Sequence, residues 1–368
     1  MPRGLILSAR TYVCPEVRRM KHRSWRVLQA LGLAAWAAFL LLCPRQAAQA
    51  VTEGLSLCAG AVLPALFPFF VCTGLCGALG LTQKLAAAVC GPLARWLGVS
   101  PQGAAVFVTG LLGGYPAGAQ GAVQEYRAGR LSAPEAEHLA RIANQSGPGF
   151  VFSMAGVGIF GSPGAGLALW LCQLVSAALL GRILRGRAPR PTAGAQNTAA
   201  PPLPFPAAFT QAVKSAGSVS FTVCTVVVTF RVLSGALDTV LPPGLPAALR
   251  ILLSGVLELS GGTALLAQAA LPRAGAFVLC SFLLAFGGLG VAAQVASVMQ
   301  DAGLRTRGYL RGKLLQGLLA ALISCPAACY LFGRRAEAVR LTALLCAVGM
   351  ICLLFRKVMA GNLREKRV

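Results

Sequence analysis

Acid is what this chain has least of. Ten Asp and Glu and two His stand against 33 Lys and Arg in 368 residues, leaving a net charge of +23. Carboxylates this sparse do not supply a paired acid/base site, and His22 and His138 lie apart in polar stretches. The chain has no CxxC pair, HExxH, P-loop or GxSxG string, and no Ser/His/Asp set. No catalytic residue, metal ligand or cofactor is therefore assigned. The enzyme reading that survives is an intramembrane lipid-handling enzyme, and the sequence offers it little. Charge of any sign is also scarce: charged residues make up 12%, apolar residues 56%, and mean hydropathy is +0.71. A soluble fold with so little charge could not cover its own surface, where roughly 25% is usual.

The basic residues that do occur stand between and beyond the apolar runs. They group at Arg18, Arg19, Lys21, Arg23 and Arg26, at Arg182, Arg185, Arg187 and Arg190, and at Arg305, Arg307, Arg311 and Lys313. A last group is Arg356, Lys357, Arg364, Lys366 and Arg367. Lys and Arg placed this way mark the cytoplasmic loops of an inner-membrane protein. Without aromatic interleaving or a recognition-helix pattern they exclude nucleic acid as a partner. Of the 13 cysteines, all but one lie in or beside apolar runs, where they act as small apolar groups.

Apolar segments run at Val27–Cys43, Leu55–Leu81, Gly103–Val123, Gly147–Leu180, Phe209–Leu233, Ala247–Leu271, Ala274–Met299, Leu314–Phe332 and Leu341–Phe355, with a shorter one at Ala86–Leu97. They predict an all-α polytopic membrane protein with eight or nine membrane segments. Ala48-Gln49-Ala50 resembles a signal-peptidase site, but the many later spans favour an uncleaved first one. The expected organisation is a basic cytoplasmic segment (1–26), a first membrane half (27–181), a Pro-rich cytoplasmic linker (182–208), a second membrane half (209–355) and a basic tail (356–368). Both termini and the linker read as cytoplasmic, which requires an even number of crossings. An odd count of segments then means that one enters and leaves by the same face. The halves also resemble each other. Phe69-Phe70-Val71-Cys72-Thr73 parallels Phe221-Thr222-Val223-Cys224-Thr225, and Gly113–Gly129 parallels Gly287–Gly303. Two related halves, inverted in many cases, are the usual build of secondary carriers.

Interruptions in apolar segments need an explanation, because a regular helix satisfies its own backbone and a broken one does not. Four glycines and a proline stand at Gly110–Gly118, a second Gly-Gly element at Phe286–Gly290, and a third break at Asn144–Gly149. Small residues of this kind either pack helices closely or open a substrate site near the bilayer midplane. The second reading makes Gly113, Gly114, Tyr115, Pro116, Asn144, Ser146, Gly147, Gly287 and Gly288 substrate-binding candidates. Gln120 and Gln294 join them as hydrogen-bond donors flanking the Gly-Gly pairs. Glu258 is the one carboxylate deep in an apolar run with no basic neighbour in sequence. Two roles stand for it: a proton- or cation-coupling group, or a structural hydrogen-bond partner.

Five strings occur in a fixed order: Val62–Phe70 (VLPALFPFF), Gly113–Ala119 (GYPAG within it), Ala128–Leu131, Asn144–Pro148 and Leu257–Gly262. In these the chain resembles the sporulation integral membrane protein family of YlbJ type, which carries a Gate, or nucleoside-recognition, domain. The resemblance covers about Leu55 to Phe332. It implies a role in endospore formation: moving dipicolinic acid from the mother cell across the outer forespore membrane. Gate domains also occur in concentrative nucleoside carriers, ferrous-iron transporters and spore maturation proteins. A nucleoside or other solute carrier, and a non-transporting factor for spore cortex or coat assembly, are the alternatives. The expected partners are a small anionic substrate, the lipid bilayer and a coupling proton or cation, with the oligomeric state open. For a planar dianion, helix N-termini at the breaks would offer N–H groups, Tyr115 a stacking face, and Gln120, Gln294 or Asn144 hydrogen bonds.

Overall fold

The structure is a computed structural model that describes residues 15–81, 91–185, 203–242, 244–334, 336–337 and 339–341. The 186–202 part of the linker, most of Leu341–Phe355, residues 86–90 of the short apolar segment and the tail at 356–368 lie outside the described residues. Among those described, every regular element is helical. In order they are α1 (Pro15–Leu42), α2 (Pro44–Leu57), a π-helical turn (Cys58–Val62), α3 (Leu63–Ala78), α4 (Pro101–Gly113), α5 (Ala117–Arg127) and α6 (Ala133–Ile142). A second π-helical segment (Phe150–Val157) precedes α7 (Pro163–Ile183), α8 (Phe205–Val240), α9 (Ala247–Leu257), α10 (Leu259–Gln268), α11 (Arg273–Phe286), α12 (Gly288–Gln300) and α13 (Tyr309–Leu331). Proline sits in the first turn of α2, α3, α4, α6, α7 and α8, where its missing N–H is no loss.

Among the described residues, five helices are long and apolar enough to cross a membrane: Pro44–Ala78 (α2 through α3), α7, α8, Arg273–Gln300 (α11 with α12) and α13. The shorter Gln29–Leu42 and α9 are apolar too. Burial is inside out relative to a soluble protein. On α13, Leu310, Leu314, Leu318 and Leu322 form an exposed stripe at four-residue spacing, while Lys313, Gln316 and Ser324 are buried. A helix that turns leucine outward and its polar side chains inward is placed for lipid. This is an all-α, multi-pass membrane protein. Ala48–Ala50, the cleavage-like string, is helical in α2 and packs near Gly235 of α8.

The interruptions fold the chain back on itself. A β-carbon at Gly262 would sit 2.3 Å from the Gly255 α-carbon, so α9 and α10 form a hairpin with Glu258 at its tip. Each arm spans only about 15 Å, half of the hydrocarbon core. α4 and α5 form a second hairpin, with Gly110 against Gly118 and the tip at Gly114–Pro116. Gly103–Val123 and Ala247–Leu271, each read above as one segment, are therefore two re-entrant pairs rather than two crossings. Gly147–Leu180 also divides. Its first part is the π-helical segment, which folds back along α7 with Gly156 against Gly166.

The order long helix, hairpin, interrupted segment, uninterrupted helix thus occurs twice. The first pass is α2–α3, α4–α5, α6 with Phe150–Val157, and α7. The second is α8, α9–α10, α11–α12 and α13. Equivalent elements run antiparallel. Glu53 and Gly54 of α2 meet Arg231 and Val228 of α8, while Gly74 of α3 meets Ala212 far up the same helix. Likewise Gly312, at the start of α13, lies by Leu184 just past α7. Phe332, just past α13, stacks near Phe160 just before α7. The two passes are inverted. The string match of Gly113–Gly129 to Gly287–Gly303 is not their register, because inversion would put the following loops on opposite faces. Those loops touch: Arg127 Nη2 donates to Asp301 O at 2.9 Å and Arg305 N to Glu137 Oε1 at 3.0 Å. Structural order instead pairs Gly114–Pro116 with Glu258, and Ala143–Gly149 with Gly287.

Candidate functional site

All four interruptions meet at one place. Gly114 has φ 76°, a left-handed geometry that suits glycine, and a β-carbon there would lie 2.9 Å from Gly147 N and Cα. Gly287 (φ 83°) faces the Tyr115 phenol, which a β-carbon would approach to 2.7 Å. Gly288 packs on Gly255 O and the Glu258 α-carbon. Of the sequence candidates, Gly113, Gly114, Tyr115, Pro116, Asn144, Ser146, Gly147, Gly287, Gly288 and Glu258 are brought together here and are buried.

Each broken helix end is satisfied by the neighbouring break. α11 stops at Phe286 and leaves carbonyls without intrahelical donors. Tyr115 OH donates to Leu284 O and Ala285 O, both at 3.3 Å, and Ser146 Oγ donates to Leu284 O at 2.9 Å. The Asn144 side chain accepts from Ala119 N at 3.0 Å and donates to Ala140 O at 2.7 Å, tying the start of α5 to the end of α6. Its amide is engaged by the protein, so Asn144 is a cap rather than the free substrate donor that the sequence suggested. The N-terminus of α10 is likewise occupied. Glu258 Oε1 accepts from Ser260 N at 2.9 Å and Oε2 from Gly261 N at 2.6 Å.

The residue at the centre was missed from sequence. Lys313, grouped above with the loop cations, is fully buried in α13. Its Nζ donates to Asn144 O and to Gln316 Oε1, each at 2.7 Å, and lies 5.2 Å from the centroid of the Tyr115 ring. The four ion pairs among the described residues do not include it. Gln316 donates to Gln145 Oε1 at 2.6 Å, and Gln145 returns a bond at 3.3 Å. Gln173 donates to Ser146 O at 2.8 Å, leaving its own buried carbonyl oxygen without a hydrogen bond. Tyr309, one turn before Lys313 on the same face, has a buried hydroxyl with no partner. A buried lysine among neutral dipoles and an aromatic face, with no carboxylate partner among the described residues, would take an incoming carboxylate as its counter-charge.

One candidate falls away from this centre. Gln120 is exposed on α5, so it does not flank the site. Gln294 is buried on α12 with its amide oxygen unpaired. Glu258, without a basic neighbour in sequence, has one in space: a β-carbon at Gly261 would lie 3.5 Å from Glu258 Oε2 and 3.6 Å from Arg231 Cδ. A signal for Lys313 did exist. Tyr309, Lys313, Gln316 and Ala320 repeat at helical spacing, although the continuous apolar run starts only at Leu314.

Inverted halves, two re-entrant hairpins and interrupted helices around a polar centre make this a multi-pass α-helical membrane protein, in an arrangement that secondary carriers also use. The chain is similar to the sporulation integral membrane protein YlbJ of Bacillus subtilis (strain 168), with 28% identity over 320 residues that cover 76% of this chain and 77% of the relative. No family model matches it, and no solved structure does.

Proposed function

We propose that this protein is a carrier of a small organic anion, acting in endospore formation, with dipicolinic acid passing from mother cell to forespore as its substrate. One observation carries the anionic substrate: Lys313, buried without a carboxylate partner where the interruptions meet. The spore setting draws on the similarity to a protein named for sporulation. The outer forespore membrane as location, and dipicolinate as substrate, draw on the family resemblance. No bond of the substrate need change, so the reading is transport rather than catalysis.

A planar dianion would place one carboxylate on the Lys313 ammonium, with the Tyr309 hydroxyl as a further donor and Tyr115 against its ring. A neutral nucleoside makes no use of a buried cation, which favours the anion. A non-transporting assembly factor has no need of one either. The test is uptake of radiolabelled dipicolinate into proteoliposomes, with uridine alongside. Wild type should concentrate dipicolinate. Lys313→Gln, which keeps a donor but removes the charge, should lose at least about 30-fold in uptake. Equal uptake by the variant, or preference for uridine, would overturn the reading. In cells, a null mutant's spores should lack dipicolinate that its mother cells still make.

A further inference from the structure

The α9–α10 hairpin turns at a carboxylate. Glu258 at its tip is buried, and both its oxygens accept backbone N–H groups of α10. Arg231 of α8 lies nearby, on the other side of the Gly261 β-carbon position. The same guanidinium pairs with Glu53 of α2, whose other oxygen accepts from Gln49 Nε2 at 3.0 Å. Two carboxylates thus lie by one arginine, which is bonded to Glu53, so with both ionised the constellation would carry one negative charge in excess. Among the described residues, the Cys58 thiol of the first π-helical turn also lies near Glu258, itself beside Cys224 of α8. α12 presents Gly288 and Gly290 to the tip, and α9 the Ser254 hydroxyl. An anion carrier working at the midplane has to offset the charge it moves, and this excess charge lies at the tip of a re-entrant hairpin.

We propose that Glu258 is the proton-binding group of a proton–anion symporter, with Arg231, bonded to Glu53, the nearby counter-charge. This rests on the transport reading above. A proton from the aqueous side adds to a Glu258 carboxylate oxygen and makes it a neutral acid. Arg231 stays with Glu53 as a neutral pair, and the constellation loses its excess charge. The tip then has no charge to draw it toward Arg231 and its grip on the Ser260 and Gly261 N–H groups weakens, so the hairpin is free to move. Loss of the proton on the far side restores the charge and closes the tip. A proton fits where a metal ion does not. Both Glu258 oxygens already accept backbone N–H groups, and no group of three His, Cys, Asp or Glu able to hold a metal occurs among the described residues.

The test uses proteoliposomes loaded with a pH-sensitive dye, with dipicolinate outside. Wild type should acidify the lumen as it takes up anion, and uptake should rise with external acidity by up to about tenfold per pH unit. Glu258→Gln should lose both the acidification and the pH dependence while still exchanging labelled for unlabelled anion. Arg231→Gln and Glu53→Gln should shift the pH of half-maximal uptake in opposite directions. Losing the arginine moves it up; giving Glu258 the whole arginine moves it down. A purely packing role would not produce opposed shifts. Proton-coupled uptake by Glu258→Gln, or shifts of one sign in the two neighbours, would overturn the proposal with transport left standing. If wild type takes up no anion, the transport reading fails instead, and hydrogen exchange still tests the latch. Relative to intrinsic rates, the first turn of α10 should exchange faster in acid in wild type and equally fast at all pH values in Glu258→Gln. Unchanged protection in that variant would sink the latch.

Discussion

Two residues show how little a side chain's type says without its surroundings. Lys313 belongs by sequence to a run of loop cations, yet the turn of α13 that carries it faces the bundle, so its charge is placed among Asn144 O, Gln316 and Tyr115. His138 is the opposite case: a polar-stretch histidine on α6, which is not among the helices long and apolar enough to cross a membrane, whose Nε2 is buried with no hydrogen-bond partner. Burial, with Arg141 adding to it, pushes the imidazole down from 6.5 to about 4. The folded state therefore binds this proton less readily than the unfolded chain. The stability due to neutral His138 is fully present above about pH 6.5 and is lost as pH falls toward about 4. His138→Gln should flatten that acid loss by on the order of 2 kcal/mol, read from melting temperatures in detergent across that pH range. An unchanged slope would mean that the imidazole is not the group responsible.

Among the elements, the interruptions share one logic: a helix ends where its unpaired groups find partners on another broken segment. Tyr115 and Ser146 satisfy the end of α11, Asn144 the start of α5, and Glu258 the start of α10. Close backbone approach makes this possible, and at Gly118 it leaves no space. A β-carbon there would lie 2.2 Å from Ala143 O. Gly118→Ala should accordingly destabilise the fold by more than about 3 kcal/mol, or abolish folded protein on size exclusion. Gly217, inside α8 with nothing within 4 Å of its β-carbon position, is the control. Gly217→Ala should be neutral or stabilise by up to about 1 kcal/mol. If both variants behave alike, the close crossing of α5 with the Ala143–Asn144 backbone is wrong. The glycines and prolines showed that breaks exist and roughly where. They did not show that Gly110–Gly118 and the run around Glu258 turn back as hairpins, because a kinked span and a hairpin have the same composition.

At the scale of the whole molecule, inversion determines which loops share a face. The loop after α5 and the loop before α13 touch through Arg127, Asp301, Glu137 and Arg305. Topology reporters fused at Arg130 and at Arg307 should therefore read the same side of the membrane, and opposite readings would refute the inverted arrangement. The salt bridge Arg130–Glu125, which holds the arginine above its usual range, belongs to this shared face. Inversion also explains why the interrupted segments converge: each half brings its breaks to the same depth from the opposite side.

Composition alone made this chain a helical membrane protein, since 56% apolar residues and ten carboxylates leave no other surface. Run lengths located the long helices, and glycine and proline located the breaks, because those preferences are local properties of the backbone. Phe69–Thr73 and Phe221–Thr225, the strings that parallel each other, both lie in the long first helix of their halves. Tertiary structure alone decided the register between the halves, the two hairpins, the withdrawal of Gln120, and the partners Lys313 and Arg231. Each of these depends on contacts between residues far apart in the chain. Such a contact is set by how helices pack, and no local preference of Lys313 or Glu258 encodes which distant carbonyl or guanidinium it will meet.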